Sequence, residues 1–202
     1  MKLYYAPGAC SLAVHIALRE SGVSFELERV DLRTKKTERG ADYLAINPKG
    51  YVPALGLDEG GVLTEASACL QYVGDRRPEA QLAPPCGSLP RYRLVEWLGF
   101  IATELHKQFA PFWHRGSDEV RHASGLRIAA RLAYIDERLD GQPHLLGEAF
   151  TVADAYLYVM TTWAQRFEID LAQWPNVSSF AERVAQRPSV VEARLVEGLD
   201  KA

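Results

Sequence analysis

Cys10 stands where a thiol is chemically useful. It lies between a β-type run, Lys2 to Tyr5, that breaks at Pro7-Gly8, and a pattern in which Leu12, His15, Ile16 and Arg19 recur at helical spacing. Cys10 or Ser11 caps the first turn of that helix, where unpaired N–H groups and the positive end of the helix dipole favour an anion. A cysteine so placed has a lowered pKa and serves as a nucleophile or thiolate partner. The other reading is a small residue buried under a helix start. Taken alone, the stretch leaves both open.

Other chemistry-bearing residues narrow the field. His15, His114, His122 and His144 have no metal-ligand spacing with one another or with the cysteines, so no metal is expected. No glycine-rich phosphate loop is present, nor a Ser-His-Asp set in a supporting order. Ala13 stands where a two-cysteine thioredoxin mechanism would need its second thiol. Cys69 reads as core, and Cys86 falls in a proline-rich segment with nothing to activate it. Pro53 biases Val52 towards an extended conformation, which leaves the Val52 N–H and C=O free to pair with a peptide in the manner of strand addition. Glu65 opens a helix after a strand, and the N–H groups of Ala66 and Ser67 lie at its positive end, suited to a carboxylate.

The elements that must position these groups fall into two parts. Strands are expected over Lys2–Tyr5, Phe25–Leu32, Ala54–Leu57 and Val62–Thr64. Helices are expected from Ser11, around Ala41–Ala45, and over Glu65–Asp75, giving the order β-α-β-α-β-β-α. The crossover after the first strand implies a parallel pair, and Asp58-Glu59-Gly60-Gly61 a hairpin. Pro78 to Pro90, with four prolines, reads as a linker. Beyond it the pattern is helical throughout: Arg91 to about Phe112, Glu119–Leu139, Val152–Phe167, and Val177–Gln186, ended by Pro188. Thr151 and Asp154 have the spacing of a capping box, a structural role for both. The chain is thus an α/β unit, residues 1–77, a linker, residues 78–90, and an all-helical unit, residues 91–202.

In the long helix, Leu94, Leu98, Ile101 and Leu105 form a core stripe. Gly99, Thr103, His106 and Ala110 repeat that spacing on a face turned by about 140°, small and polar enough for a cleft wall. With 202 residues, 48% hydrophobic and a net charge of −3, the chain is an ordinary globular protein with no electrostatic bias towards nucleic acid or anionic membrane. Three cysteines suit a reducing compartment, and neither a leader nor a membrane span is read, so a cytoplasmic location is expected.

The motifs NPKGYVPAL, LTEASACLQY, WLGFIATELHK and FTVADAYL, in this order behind Cys10, resemble those of the glutathione S-transferases. Cys10 with the His106-Lys107 pair is similar to the bacterial beta class. The resemblance spans Met1 to Gly198 and implies an α+β thioredoxin-like domain followed by an all-α helical bundle domain, usually as a homodimer. It implies glutathione as co-substrate, a cis bond before Pro53, and Glu65 paired with the γ-glutamyl ammonium. It implies Lys35 at the glycyl carboxylate, with Lys36 an adjacent competitor, and His106 as a hydrogen-bond donor to the glutathione thiolate or to Cys10. The implied glutathione-binding set is Cys10, Lys35, Val52, Pro53, Glu65, Ala66, Ser67, Gly99, Thr103, Glu104, His106 and Lys107, with Cys10 and His106 catalytic. Ala66 offers backbone but no hydroxyl, Ser67 is a substitute, and Gly99 replaces a frequent Asn. Ala9, Phe109, Phe112, Trp113 and Trp163 supply the apolar electrophile pocket.

Three functions follow: conjugation of glutathione to small hydrophobic electrophiles, with slower thiol-disulfide exchange through Cys10; a related dehalogenase, isomerase or disulfide reductase; or a non-catalytic ligand-binding or protein-interaction member of the fold. The presence of Cys10, Val52-Pro53, Glu65 and His106 speaks against the third.

Overall fold

The structure, a computed structural model, describes residues 1–200. Its first part is a five-stranded sheet ordered β3-β2-β1-β4-β5, formed by β1 (Lys2–Tyr5), β2 (Glu26–Asp31), β3 (Lys36–Thr37), β4 (Ala54–Gly56) and β5 (Val62–Thr64). β1 and β2 are parallel, with Leu3 opposite Leu27. The other pairings are antiparallel, and Leu3 also faces Leu55. The parallel pair requires a crossover, supplied by helix α1 (Ser11–Ser21). One sheet face carries α1 and α3 (Ala66–Arg76), with Leu3, Leu12, Ile16, Leu55 and Leu70 fully buried between them. The other face holds a smaller cluster of Val30, Tyr43, Val52 and Ala54, beneath α2 (Tyr43–Ile46). This is the thioredoxin-like arrangement.

The rest of the described chain is helical: α4 (Leu89–Phe100), α5 (Ala110–Trp113), α6 (Asp118–Arg138), α7 (Val152–Arg166), α8 (Pro175–Ala185) and α9 (Pro188–Val196). α7 is the central post, buried on nearly every side, and α1 packs directly against both α7 and α9. One buried network fastens the two parts. The Arg19 guanidinium, which can only donate, bonds His15 Nε2 at 2.9 Å, so Nδ1–H donates to Glu197 Oε1 at 2.9 Å. Glu197 Oε2 accepts the Gly8 N–H at 2.9 Å, reaching the loop that precedes Cys10.

The elements depart from the sequence expectations in several places. Lys36–Thr37 forms an edge strand, so the order is β-α-β-β-α-β-β-α. Its two residues are too few for any alternation to register. The short helix is shifted to Tyr43–Ile46, where Asp42 caps it by accepting the Leu44 N–H at 3.0 Å. Ser88 caps α4 inside the segment read as linker, and Pro90 sits in the first helical turn. Pro188 does end α8, but it also opens α9, because proline at N1 gives up an N–H that has no helical partner.

The largest departure lies in the helix expected over residues 91–112. After Phe100 the backbone makes a π turn, Ile101–Leu105, closed by the His106 N–H on the Ile101 carbonyl. A 3₁₀ turn, His106–Phe109, follows before α5. The stripe Leu94, Leu98, Ile101 and Leu105 is nonetheless fully buried. Pro111 has no N–H for the Lys107 carbonyl, so regular α-helical bonding cannot pass this point. A π turn inserts extra chain into a helix, and here it resets the direction of His106.

Candidate functional site

Cys10 is the residue before α1, with helical backbone angles and no side-chain cap bond. The residue is 9% exposed; its thiol donates to the Val52 carbonyl at 3.3 Å and is pushed by burial up to about 12. Desolvation therefore outweighs the helix end, and Cys10 is a protonated hydrogen-bond donor rather than the thiolate its position suggested. Cys69, also free and buried, is pushed by burial to about 12 as well.

The Val52-Pro53 peptide is cis. Tyr51 and Val52 are held from behind: the Tyr43 hydroxyl and the Asn47 amide both donate to the Tyr51 carbonyl, at 2.9 and 2.8 Å. Lys35, at φ 56°, donates its ammonium to the Gly50 carbonyl at 2.6 Å. Lys36 lies in β3, paired with Asp31 of β2, and is exposed. Glu65 (φ 72°) precedes α3, and the N–H groups of Ala66 and Ser67 come before the first helical hydrogen bonds, so they remain free donors. The Ser67 hydroxyl is used elsewhere, on the Leu98 carbonyl of α4 at 3.3 Å.

Lys49 and Tyr51 escaped the sequence reading. The Lys49 ammonium reaches Glu65 at 2.5 Å and the Tyr51 hydroxyl donates to it at 3.1 Å. The Lys49 bond is the main cause that holds the Glu65 carboxyl below its usual range. The signal was present in NPKGY, but a lysine in a turn ordinarily reads as solvated.

His106 is half-buried. Its Nδ1 lies 2.7 Å from the Tyr156 hydroxyl, and its ring is edge-on to Trp163 at 4.8 Å. Burial, with the Lys107 charge adding to it, pushes His106 down to about 4, so the imidazole is neutral at physiological pH. The Tyr156 phenol is pushed far up, chiefly by burial. The Cys10 thiol is directed at Val52 and the His106 ring at Tyr156 and Trp163 of α7, with no hydrogen bond between the two. Trp163 ties the two, donating Nε1–H to the Gly8 carbonyl at 2.8 Å.

The aromatic group is assembled as a cluster. Trp113 packs edge-on against Trp163 at 5.2 Å and against Phe167 at 4.8 Å, and Phe112 meets Phe167 at 5.3 Å. Phe167 was not foreseen. Phe109 is fully buried, so it backs the cluster instead of lining an opening. Ala9 is partly exposed on the Gly8–Cys10 loop.

Gly99 and Thr103 are exposed, and a Cβ at Gly99 would meet nothing within 4 Å. The Thr103 hydroxyl bonds back to the Gly99 carbonyl at 3.0 Å. Glu104 accepts from Arg131 at 2.8 Å and lines a groove between α4 and α6 with Trp97, Phe100 and Tyr134. This is a different wall from that of His106. Asp154 is fully buried and accepts the Thr151 N–H, the Thr151 hydroxyl and the Leu145 N–H at 2.8, 2.7 and 2.8 Å. It therefore joins the preceding loop to α7 as well as closing the helix start.

Comparison with known proteins fits this geometry. The family models for the glutathione S-transferase N-terminal and C-terminal domains match residues 8–76 and 100–188. The chain is 46% identical to glutathione S-transferase GstA of Escherichia coli O157:H7, over 98% of this chain and all of that one. A sphingomonad glutathione S-transferase complexed with glutathione superposes with a TM-score of 0.96 at 49% identity, covering 99% and 100% of the two chains. The bacterial beta class enzyme of Sphingomonas chungbukensis does so with a TM-score of 0.96 at 48% identity, with the same coverage. With both halves matched and the likeness running nearly end to end, the chain belongs to the glutathione S-transferases, among those of the bacterial beta class.

Proposed function

We propose that glutathione binds along the Val52, Glu65 and α3 edge of the cleft, and that its thiolate attacks a small hydrophobic electrophile held against Trp113 and Trp163. The protein is a glutathione transferase. Residues 1–77 form its glutathione-binding domain, 78–88 the linker, and the helices from Leu89 onward the domain that walls the electrophile site. The supporting observation is that the Cys10 thiol is buried and bonded to the Val52 carbonyl, pushed up to about 12, while His106, bonded to Tyr156, is pushed down to about 4 by burial. Neither is an anion at neutral pH, so the nucleophile arrives with the substrate.

The chemistry then needs four contacts. The Val52 N–H and C=O pair with the tripeptide backbone, and Glu65 exchanges Lys49 for the γ-glutamyl ammonium. The Ala66 and Ser67 N–H groups take the α-carboxylate, and Lys35 the glycyl carboxylate. The thiol proton leaves to solvent, the anion is held by His106 and by the Cys10 S–H, which exchanges the Val52 carbonyl for it, and a C–S bond forms as the leaving group departs with its electron pair. Lowering the thiol pKa by about two units corresponds to about 2.7 kcal/mol of preferential thiolate binding. One or two charge-assisted hydrogen bonds supply that. Thiol-disulfide exchange through Cys10 is the slower activity, because burial pushes the thiol up to about 12 and little thiolate is present at pH 7.

Glu65→Gln is expected to raise the KM for glutathione about tenfold or more while changing kcat little, because a charged hydrogen bond to the ammonium becomes a neutral one. Steady-state kinetics at saturating electrophile checks it, and an unchanged KM removes Glu65 from the site. A homodimer through the α4–α6 face is part of the proposal, supported by the exposure of Tyr92 and Leu126, 63% and 61%, on these two helices. A cytoplasmic location belongs to the same proposal, supported by free cysteines that suit a reducing compartment; separately, among the described residues no helix is long and apolar enough to cross a membrane.

The experiment that tests the function is retention on a glutathione-affinity matrix, followed by turnover of a chloronitrobenzene, a haloaromatic acid and a mixed disulfide. Retention with fastest turnover of the chloronitrobenzene is the expected result. Failure to bind would favour a non-catalytic role, and preference for either other substrate would favour the dehalogenase or reductase reading.

A further inference from the structure

We propose that Tyr156 is a positioning residue for this reaction: its hydroxyl donates to His106 Nδ1 and so holds the imidazole in the tautomer that presents Nε2–H to the bound thiolate. The proposal rests on the reading that glutathione occupies the cleft.

The direction of the hydrogen bond follows from what each group has available. Tyr156 is 1% exposed, and His106 is the only partner its hydroxyl has among the described residues. If Nδ1–H donated to the tyrosine oxygen, the phenolic proton would be left buried without an acceptor, which is costly. With Tyr156 donating, Nδ1 must carry a lone pair, and in a neutral imidazole the proton then sits on Nε2. Among the described residues Nε2 has no protein partner, so its N–H is free for a ligand.

The ring is also prevented from turning. Tyr156 and Trp163 lie on one side of α7, two turns apart, and both meet the imidazole near a right angle: 89° at 5.9 Å, and 84° at 4.8 Å. Trp163 is itself fixed by the Gly8 carbonyl. A change of tautomer or a flip would break the Tyr156 bond and disturb both contacts. The π and 3₁₀ turns around residue 106 deliver the ring into this slot. Tyr158, two residues along and equally buried, faces Arg194 instead and supplies a matched control.

The test is nitrogen NMR of the ¹⁵N-histidine-labelled full chain at pH 7, with kinetics of Tyr156→Phe and Tyr158→Phe. The expected wild-type spectrum has an unprotonated, hydrogen-bonded His106 Nδ1 and a protonated Nε2, identified by its loss in His106→Asn. Tyr156→Phe should give mixed tautomers, a kcat lowered about tenfold, a bound-thiol pKa raised by about one unit, and a glutathione Kd within twofold of wild type. Tyr158→Phe should keep all four wild-type readings. A proton on Nδ1 in the unmodified chain would overturn the proposal even if the variant is too unstable to assay. So would a Tyr156→Phe enzyme with unchanged kcat and bound-thiol pKa. The Nε2–H tautomer in a protein that binds no glutathione would refute the reading of the cleft, and with it the donor's role, while leaving the Tyr156–His106 geometry standing.

Discussion

Replacing Asp154 with alanine lowers the free energy of unfolding by about 2–4 kcal/mol, read from urea denaturation, with a fall in Tm of about 5–10 °C. The carboxylate is fully buried and accepts three hydrogen bonds, two of them from main-chain N–H groups at Thr151 and Leu145. Burial alone pushes the Asp154 carboxyl up, and those bonds pull against it. Alanine therefore removes one acceptor and strands two backbone donors where water does not reach. A simple helix cap is worth about 1 kcal/mol. The larger value is expected because α7 carries Tyr156 and Trp163 and packs against α1, so its start is not a peripheral end. A loss below about 0.5 kcal/mol would mean the loop relaxes to find water. Glutathione KM should be nearly unchanged in the folded fraction, which separates this residue from a catalytic acid.

His106→Ala lowers kcat for conjugation by about 10²-fold with little change in glutathione Kd, the size expected when one preorganised donor to a developing or stored anion is removed. The lowered pKa of His106, near 4, gives the pH dependence its sign. Its charged form is populated only as pH falls towards 4, so above about pH 5.5 the donor is present at a constant level. The rise of kcat/KM with pH should follow the glutathione thiol, and no limb near 6.5 should be seen. A limb at 6.5 that disappears in His106→Ala would identify the histidine as a titrating base and contradict its role as neutral donor. The exposed Lys107 beside it contributes charge without contact, so Lys107→Met is expected to shift rates by less than His106→Ala does.

Much of this was readable from residue order because the deciding interactions are local. The capping spacing of Thr151 and Asp154 and the Leu94–Leu105 stripe each depend on a few neighbouring residues. What was not readable depended on distant partners or on broken periodicity. The helix expected over 91–112 assumed a constant 100° per residue, and Pro111 with the π turn invalidates that beyond Phe100. Tyr156 sits in an apolar helix and reads as core until His106 is placed against its hydroxyl. The Arg19–His15–Glu197–Gly8 chain joins residues 182 apart at its histidine–carboxylate step, and no periodicity reports it. For Cys10 the sequence indicated the helix end and left open a thiolate or a residue buried beneath it, and burial decides for the protonated form. Exposure is a tertiary property, so the same residue at the same helix position can be a thiolate or a protonated donor.

The claim at the centre is that glutathione supplies the attacking sulfur and the cleft lowers its pKa. The most direct measurement is the ultraviolet thiolate absorbance of glutathione bound to Cys10→Ala, titrated against pH as a difference from the unliganded variant. The predicted result is a glutathione thiolate that titrates about two units below the free tripeptide, within about one unit of its value in the unmodified enzyme. A bound thiol that titrates like free glutathione, or a thiolate signal that vanishes with Cys10, would contradict it and return Cys10 to the role of nucleophile.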